Sequence, residues 1–134
     1  MMRFMLDTDS CIALIKRKPA GMVRRITSLS PGELGLSAIT LAELRYGAAK
    51  SAQRERNSQA LAEFLVPLEI ADFDEPAANA YGEVRAALEK SGKPIGPLDT
   101  QIGAHALSLG AVLITHNVRE FRRIKRLAVE DWLS

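Results

Sequence analysis

A chain of 134 residues with a formal net charge of +2 is most simply one domain, spanning 1–134, with a single sizeable core. Hydrophobic residues at 47% and charged residues at 25% give a globular balance, and one cysteine excludes an internal disulfide framework. No apolar run approaches the ~20 residues of a membrane span, and the first apolar stretch is too short for a secretory signal, so no membrane role and a cytoplasmic location are expected.

Arg3 to Leu6 is predicted as a short buried strand that stops at Asp7-Thr8-Asp9. Ser10 to Lys16 is predicted as a helix, and Cys11 within it as a small buried residue rather than a reactive thiol. Pro19-Ala20-Gly21 interrupts the pattern, Met22 to Leu29 is a second helical piece, and Ser30-Pro31-Gly32 is a turn. Leu34 to Ser37 is a second strand, weakened by its glycine. Thr40 to Ala49 and Gln53 to Val66 carry helical apolar stripes, and Leu68 to Ala71 alternates as a third strand would. Asp74 caps a long helix whose Ala77, Ala80, Tyr81, Val84 and Leu88 fall on one face. A Gly/Pro loop from Ser91 to Pro97 precedes a helix from Leu98 to Leu109, which Gly110 stops. Ala111 to Ile114 is an unbroken apolar run, the mark of a strand covered on both faces. Phe121 and Ile124 belong to a short helix or turn, Ala128-Val129 to a last short strand, and Trp132 and Leu133 are packing residues.

Strands separated by helices imply an α/β fold, a three-layer α/β/α sandwich around a central, mainly parallel sheet. In such sheets ligands bind beyond the carboxyl ends of the strands. Asp7, Glu43, Asp99, Thr115 and Asn117 all fall near that edge. Each has a local use as well. Thr40-Leu41-Ala42-Glu43 and Asn117-Val118-Arg119-Glu120 fit capping boxes, Asp99 can cap its helix, and Asp7 or Asp9 can cap the first one.

Taken together, Asp7, Glu43 and Asp99 would bring three carboxylates to one cleft, where like charges raise one another's pKa. A divalent cation relieves that crowding. Oxygen donors with no cysteine or histidine cluster favour Mg²⁺ or Mn²⁺, and neither His105 nor His116 has a partner at metal-ligand spacing. Basic runs at Lys16-Arg17-Lys18 and from Arg119 to Arg126 are solvated faces unless they flank such a site, where they could grip a polyanion. Carboxylate-held magnesium beside basic residues suits phosphodiester hydrolysis. The chain has neither a P-loop nor a GxGxxG, which disfavours ATP and dinucleotide chemistry.

The segments LDTDSCIALIK, SAITLAELRYG, IGPLDTQIGAHALSLG and LITHNVREF, in this order and spacing, resemble the PIN-domain ribonucleases, and more narrowly the VapC-type toxins of bacterial toxin–antitoxin systems. The resemblance covers essentially the whole chain. It implies a doubly wound PIN fold and a Mg²⁺-dependent endoribonuclease, with Mn²⁺ able to substitute, that hydrolyses phosphodiester bonds in RNA, tRNA included, and so inhibits translation and growth. It further implies a homodimer and a cognate VapB-type antitoxin that blocks the cleft and couples the complex to operator DNA. By this resemblance Asp7, Glu43 and Asp99 match the metal-binding acids, and Asn117 stands where many PIN domains carry a fourth acid. Glu120 is the candidate to supply the missing charge, Thr8 and Thr115 are hydroxyls that orient carboxylates, and Asp9 caps the first helix or supports the site. Arg119, Arg122 and Arg123 are candidate phosphate contacts, or else contacts to the antitoxin. The rival reading is a catalytically weak PIN-like module that grips RNA or protein without cutting. A magnesium-dependent phosphatase on a doubly wound sheet is the remaining alternative.

Overall fold

Phe4, Met5 and Leu6 form the first strand, β1 (Phe4–Leu6), and all three are buried. Phe4 and Leu6 point into one apolar cluster and Met5 into another on the opposite side. The strand therefore has no solvent face, which is why its sequence lacks polar alternation. The structure, a computed structural model, describes residues 1–133. β4 (Val112–Ile114) repeats the arrangement, with Val112 and Ile114 on the Phe4 side and Leu113 on the Met5 side. β2 (Leu34–Ser37), β3 (Glu69–Ala71) and β5 (Val129–Glu130) complete a five-stranded sheet in the order β3-β2-β1-β4-β5. Every pairing is parallel. Leu6 stands opposite both Leu36 and Ile114, so the three central strands end level with one another. The chain winds outward from β1 to β3 and then returns to place β4 on the other side of β1. This reversal makes the β1–β4 edge a topological switch point.

Helices cover both faces. On one side Cys11 and Leu14 of α1 (Thr8–Lys16), Met22 of α2 (Ala20–Thr27), Leu44 of α3 (Ala38–Lys50) and Leu61 of α4 (Arg54–Leu65) pack together with Trp132. On the other, Val84 and Leu88 of α5 (Glu75–Lys90) meet Ile102 and Ala106 of α6 (Pro97–Leu109) and Phe121 of α7 (Val118–Phe121). The expected three-layer sandwich is the one observed, with a wholly parallel sheet. Trp132 is a packing residue. Its ring lies 5.1 Å from that of Phe4, the Arg25 guanidinium stacks 4.9 Å from it, and its Nε1 donates to Glu130 Oε1 at 2.9 Å.

Several element boundaries differ from the sequence reading for identifiable reasons. α1 starts at Thr8, because Asp7 and not Asp9 is its cap; the Asp7 side chain accepts from the Ser10 amide. α2 takes in Ala20 and Gly21, since Pro19 sits just outside its first turn. α3 starts at Ala38, because Ser37 at the end of β2 already accepts from the Ile39 amide. Thr40 and Glu43 thus lie inside the helix, and the capping box expected there does not form. Asp74 does cap α5, accepting from the Ala77 amide at 3.1 Å.

Gly35 is required by a close approach. A Cβ at this position would fall 2.3 Å from the Glu69 carbonyl oxygen on β3 and 2.3 Å from the Met2 methyl. Gly35→Ala is expected to lower the unfolding free energy by ~1–3 kcal/mol through overpacking, read as a lower urea midpoint. An unchanged midpoint would mean that the β2–β3 edge yields freely.

Candidate active site

The site is built on the switch point. Asp7 follows β1 directly, and its amide donates to the Ile114 carbonyl of β4 at 3.0 Å. Asp7 is 4% exposed, and both carboxylate oxygens are engaged. Oδ1 accepts from the Ser10 amide at 2.9 Å, capping α1, and Oδ2 accepts from the Thr115 hydroxyl at 2.6 Å. Thr115 Oγ1 in turn accepts from the Asn117 amide at 2.9 Å, and the Ser10 hydroxyl donates to the Ile114 carbonyl at 3.1 Å. One side chain thereby joins the end of β1, the start of α1 and the loop after β4.

The other acids arrive from separate helices. Glu43, in the second turn of α3, accepts a short hydrogen bond from the Thr8 hydroxyl, and Thr40 Oγ1 lies 3.3 Å from the same Thr8 oxygen. Asp99 lies in the first turn of α6 but does not cap it; the cap position is Gly96, which has no side chain to offer. The Asp99 carboxylate has no hydrogen-bond partner among the described residues. Asn117 precedes α7 without capping it by its side chain, so the second capping box also fails in its expected form. Its side-chain amide instead donates to the Glu120 carboxylate.

The electrostatics follow from this crowding. Burial pushes the Asp7 carboxyl up, hydrogen bonds from Thr115 and Ser10 pull it back, and the charge on Asp9 adds to the rise. The Asp99 carboxyl is pushed up to about 6, first by burial and then by the charges of Asp7, Glu120, Glu43 and Asp9. The acids that the sequence scatters along the chain share one field. Among the described residues, no three His, Cys, Asp or Glu side chains already stand in a metal-ligating group. Glu43 rests on Thr8, and Glu120 on Asn117. The donor set nevertheless fits a hard divalent cation in type and charge: oxygen atoms only, and an excess of carboxylates that resist ionising together.

The remaining candidates are placed as follows. Asp9 is exposed within the first turn of α1, close enough to act on Asp7 and Asp99 through its charge, and it caps nothing. Arg119 and Arg122 are exposed, and Arg123 donates to the Pro94 carbonyl at 3.1 Å, which fastens the 91–97 loop. Cys11 is buried, and burial followed by the Asp7 charge raises its thiol pKa, which suits the structural role expected of it. His105 is fully buried, with Nδ1 2.8 Å from Ser37 Oγ. That oxygen also accepts from the Ile39 amide, and burial lowers the imidazole pKa, which favours the neutral ring. Sequence reasoning missed Ser10 and Ser37. The signal for Ser10 was its place three residues after Asp7, where an N-cap's amide partner falls.

A parallel sheet with a carboxylate cluster at its switch point is an architecture shared with known proteins. The PIN domain family model matches residues 4–127. The tRNA(fMet)-specific endonuclease VapC of Shigella flexneri is 45% identical over 132 residues, 98% of this chain and 99% of that protein. The crystal structure of DNA-bound VapBC from Salmonella typhimurium contains a chain that superposes with a TM-score of 0.94 at 45% identity, covering 98% of this chain and 99% of that one. VapBC2 from Rickettsia felis, bound to a DNA fragment from its promoter, gives a TM-score of 0.93 at 39% identity, again over 98% and 99%. The chain belongs to the PIN domain family, and within it to the VapC ribonucleases.

Thr115→Val removes the donor to Asp7 Oδ2 and is expected to cost ~1–3 kcal/mol at neutral pH. The Thr115 hydrogen bond lowers the Asp7 pKa in the folded state. Its contribution is therefore present while Asp7 is charged and is lost as pH falls through the folded pKa. The gap in Tm between Thr115→Val and the natural chain should narrow on acidification. A gap independent of pH would assign the loss to packing alone.

Proposed function

We propose that this protein is a Mg²⁺-dependent endoribonuclease toxin that cuts tRNA and is held inactive by a cognate VapB-type antitoxin. The observation that carries the reading is the Asp99 carboxyl at the sheet's switch point, half-buried, without a hydrogen-bond partner among the described residues, and pushed up to about 6 first by that burial and then by the charges of Asp7, Glu120, Glu43 and Asp9. Such crowding has a natural use if a cation joins it. Asp7 and Asp99 would hold the ion, and Glu43 would act as a further ligand or orient the attacking water. When bound, a divalent cation supplies Lewis acidity and balances the carboxylate charge.

The chain's own residues account for the rest. Thr115 and Ser10 fix Asp7, and Thr8 holds Glu43 until it turns toward the cleft. Asn117 offers a neutral carbonyl where a fourth acid would sit, with Glu120 beside it to add charge. Arg119 and Arg122, exposed after β4, can meet the phosphate of a bound strand. The net reaction adds water across one phosphodiester P–O bond, leaving a phosphate at one new end and a hydroxyl at the other. The specificity in the Shigella relative's name supports tRNA(fMet) as the substrate to try first. The DNA-bound VapBC complex of the Salmonella relative and the promoter-bound VapBC2 of the Rickettsia relative support a toxin–antitoxin hetero-oligomer that occupies its own operator, for which we propose a toxin dimer as the core. Inhibition of translation and growth in the cytoplasm would follow from loss of the tRNA.

A binding module without catalysis is the second reading, favoured by the neutral Asn117 and by side chains not yet turned into a ligand set. EDTA separates the two. Purified protein with tRNA(fMet) in Mg²⁺ should give two discrete fragments, and EDTA should abolish them. Asp7→Asn should cut at least about 10²-fold more slowly, the scale for removing one electrostatic catalytic group, while keeping its fold because Asn caps a helix as well as Asp does. RNA binding that is indifferent to EDTA, with no fragments, would select the binding module.

A further inference from the structure

Beside the acid cluster, the outer face of α1 and the loop after β4 enclose a groove of about 630 Å³. Asp9 and Asn117 line its end at the acids, and Lys16 and Arg17 line its other end, where α1 finishes. Ile12 and His116 lie between them; Ile12 is 36% exposed, and the His116 side chain is 69% exposed. The rise of an α-helix, ~1.5 Å per residue, sets Lys16 about 10 Å from Asp9. Resting on the functional reading above, we propose that this groove carries the RNA strand away from the cleavage point. Lys16 and Arg17 each take a phosphate further along the strand, and a base lies against Ile12 and His116.

Charge and continuity favour RNA as the occupant. Asn117 is shared between the groove and the hydrogen-bond chain that runs through Thr115 to Asp7, so a strand leaving the acids enters the groove directly. Among the described residues neither Lys16 nor Arg17 makes an ion pair, and what sets them apart from other unpaired cations such as Lys50 and Arg54 is that they line this groove. Two uncompensated cations at one end of a groove with a cation-binding cluster at the other suit a polyanion that must meet both. The groove's own acid, Asp9, lies at the cluster end. His116 is tied to Asp131 through Nδ1 at 3.0 Å, which holds the ring while leaving most of it in solvent. An exposed, oriented ring beside an aliphatic side chain is a platform on which an unstacked base can rest.

The test uses the full chain with Asp99→Asn, which should bind RNA without cutting it, and tRNA(fMet) as the probe in Mg²⁺. Affinity is followed against salt concentration with and without Lys16→Gln/Arg17→Gln. Two lost phosphate contacts should flatten the slope of log affinity against log salt by ~1.4 to ~1.8, the range from single-stranded to duplex nucleic acid. The same double change at Lys50 and Arg54, where α3 ends and α4 begins, away from the acid edge, should leave the slope as it was. An unchanged slope for the groove variant, or an equal change for the control, would overturn the proposal. An unchanged slope with weakened antitoxin binding would also overturn it and assign the groove to protein docking. If the natural chain cuts the tRNA while the slopes agree, only the groove assignment fails. If it neither cuts nor binds RNA, the functional reading fails with it.

Discussion

The Asp7 carboxylate is the constraint on which the rest of the site depends. Its two oxygens join three segments that come from opposite ends of the sequence: β1, the N-terminus of α1 and the loop after β4. The side chain sits in a place where burial disfavours its charge. What keeps that charge tolerable is the pair of donors aimed at it, one from a helix N-terminus and one from a threonine. The cap of α1 and the first acid of the site are therefore the same residue. The two duties are compatible, because a carboxylate oxygen that accepts one hydrogen bond retains a second lone pair.

From this anchor the remaining acids are set by helix starts. β2 ends at Ser37, whose hydroxyl begins α3 and meets buried His105 of α6, so the helices that carry Glu43 and Asp99 are tied together just below the cleft. Leu6 and Leu36 stand level in the sheet, so α1 and α3, which follow β1 and β2, begin at nearly the same height, while α6 reaches that edge from the 91–97 loop. Burial first, and the neighbouring acids after it, then raise the Asp99 carboxyl, and proton uptake or a bound cation are the two ways to relieve the crowding. The hydroxyls of Thr8 and Thr115 hold two of the acids, Thr115 the buried Asp7 and Thr8 the part-buried Glu43.

Much of this was legible in the sequence. The unbroken apolar runs at Phe4–Leu6 and Val112–Ile114 announce doubly covered parallel strands, and the alternation of strands and helices gives the layers. Asp7 was recognisable because it follows the first strand, Glu43 because it lies in the helix after the second, and Asp99 because it opens the helix that leads into the fourth. What failed was local capping. Thr40-x-x-Glu43 looks like a helix start, yet Ser37 claims that role because the strand ends there, a fact set by pairing with β1 rather than by the motif. Asp9 looked the better cap because it stands nearer the expected first turn, whereas the true turn begins two residues earlier. Gly35 looked like a weakness in a strand and is a necessity imposed by Glu69 and Met2, neither of which is its neighbour in sequence. The burial of His105 was invisible for the same reason, since its partner Ser37 lies far back along the chain. Contacts between distant segments decide the cases of Ser37, Gly35 and His105.

The most direct measurement of the acid site is the titration of the Asp99 side-chain carbon by ¹³C NMR, with and without Mg²⁺. Without metal the carboxyl should titrate near 6, and saturating Mg²⁺ should move the midpoint down, because a cation favours the charged form. A midpoint near the ordinary 3.8 that Mg²⁺ does not move would contradict both the crowding of the acids and the cation that relieves it.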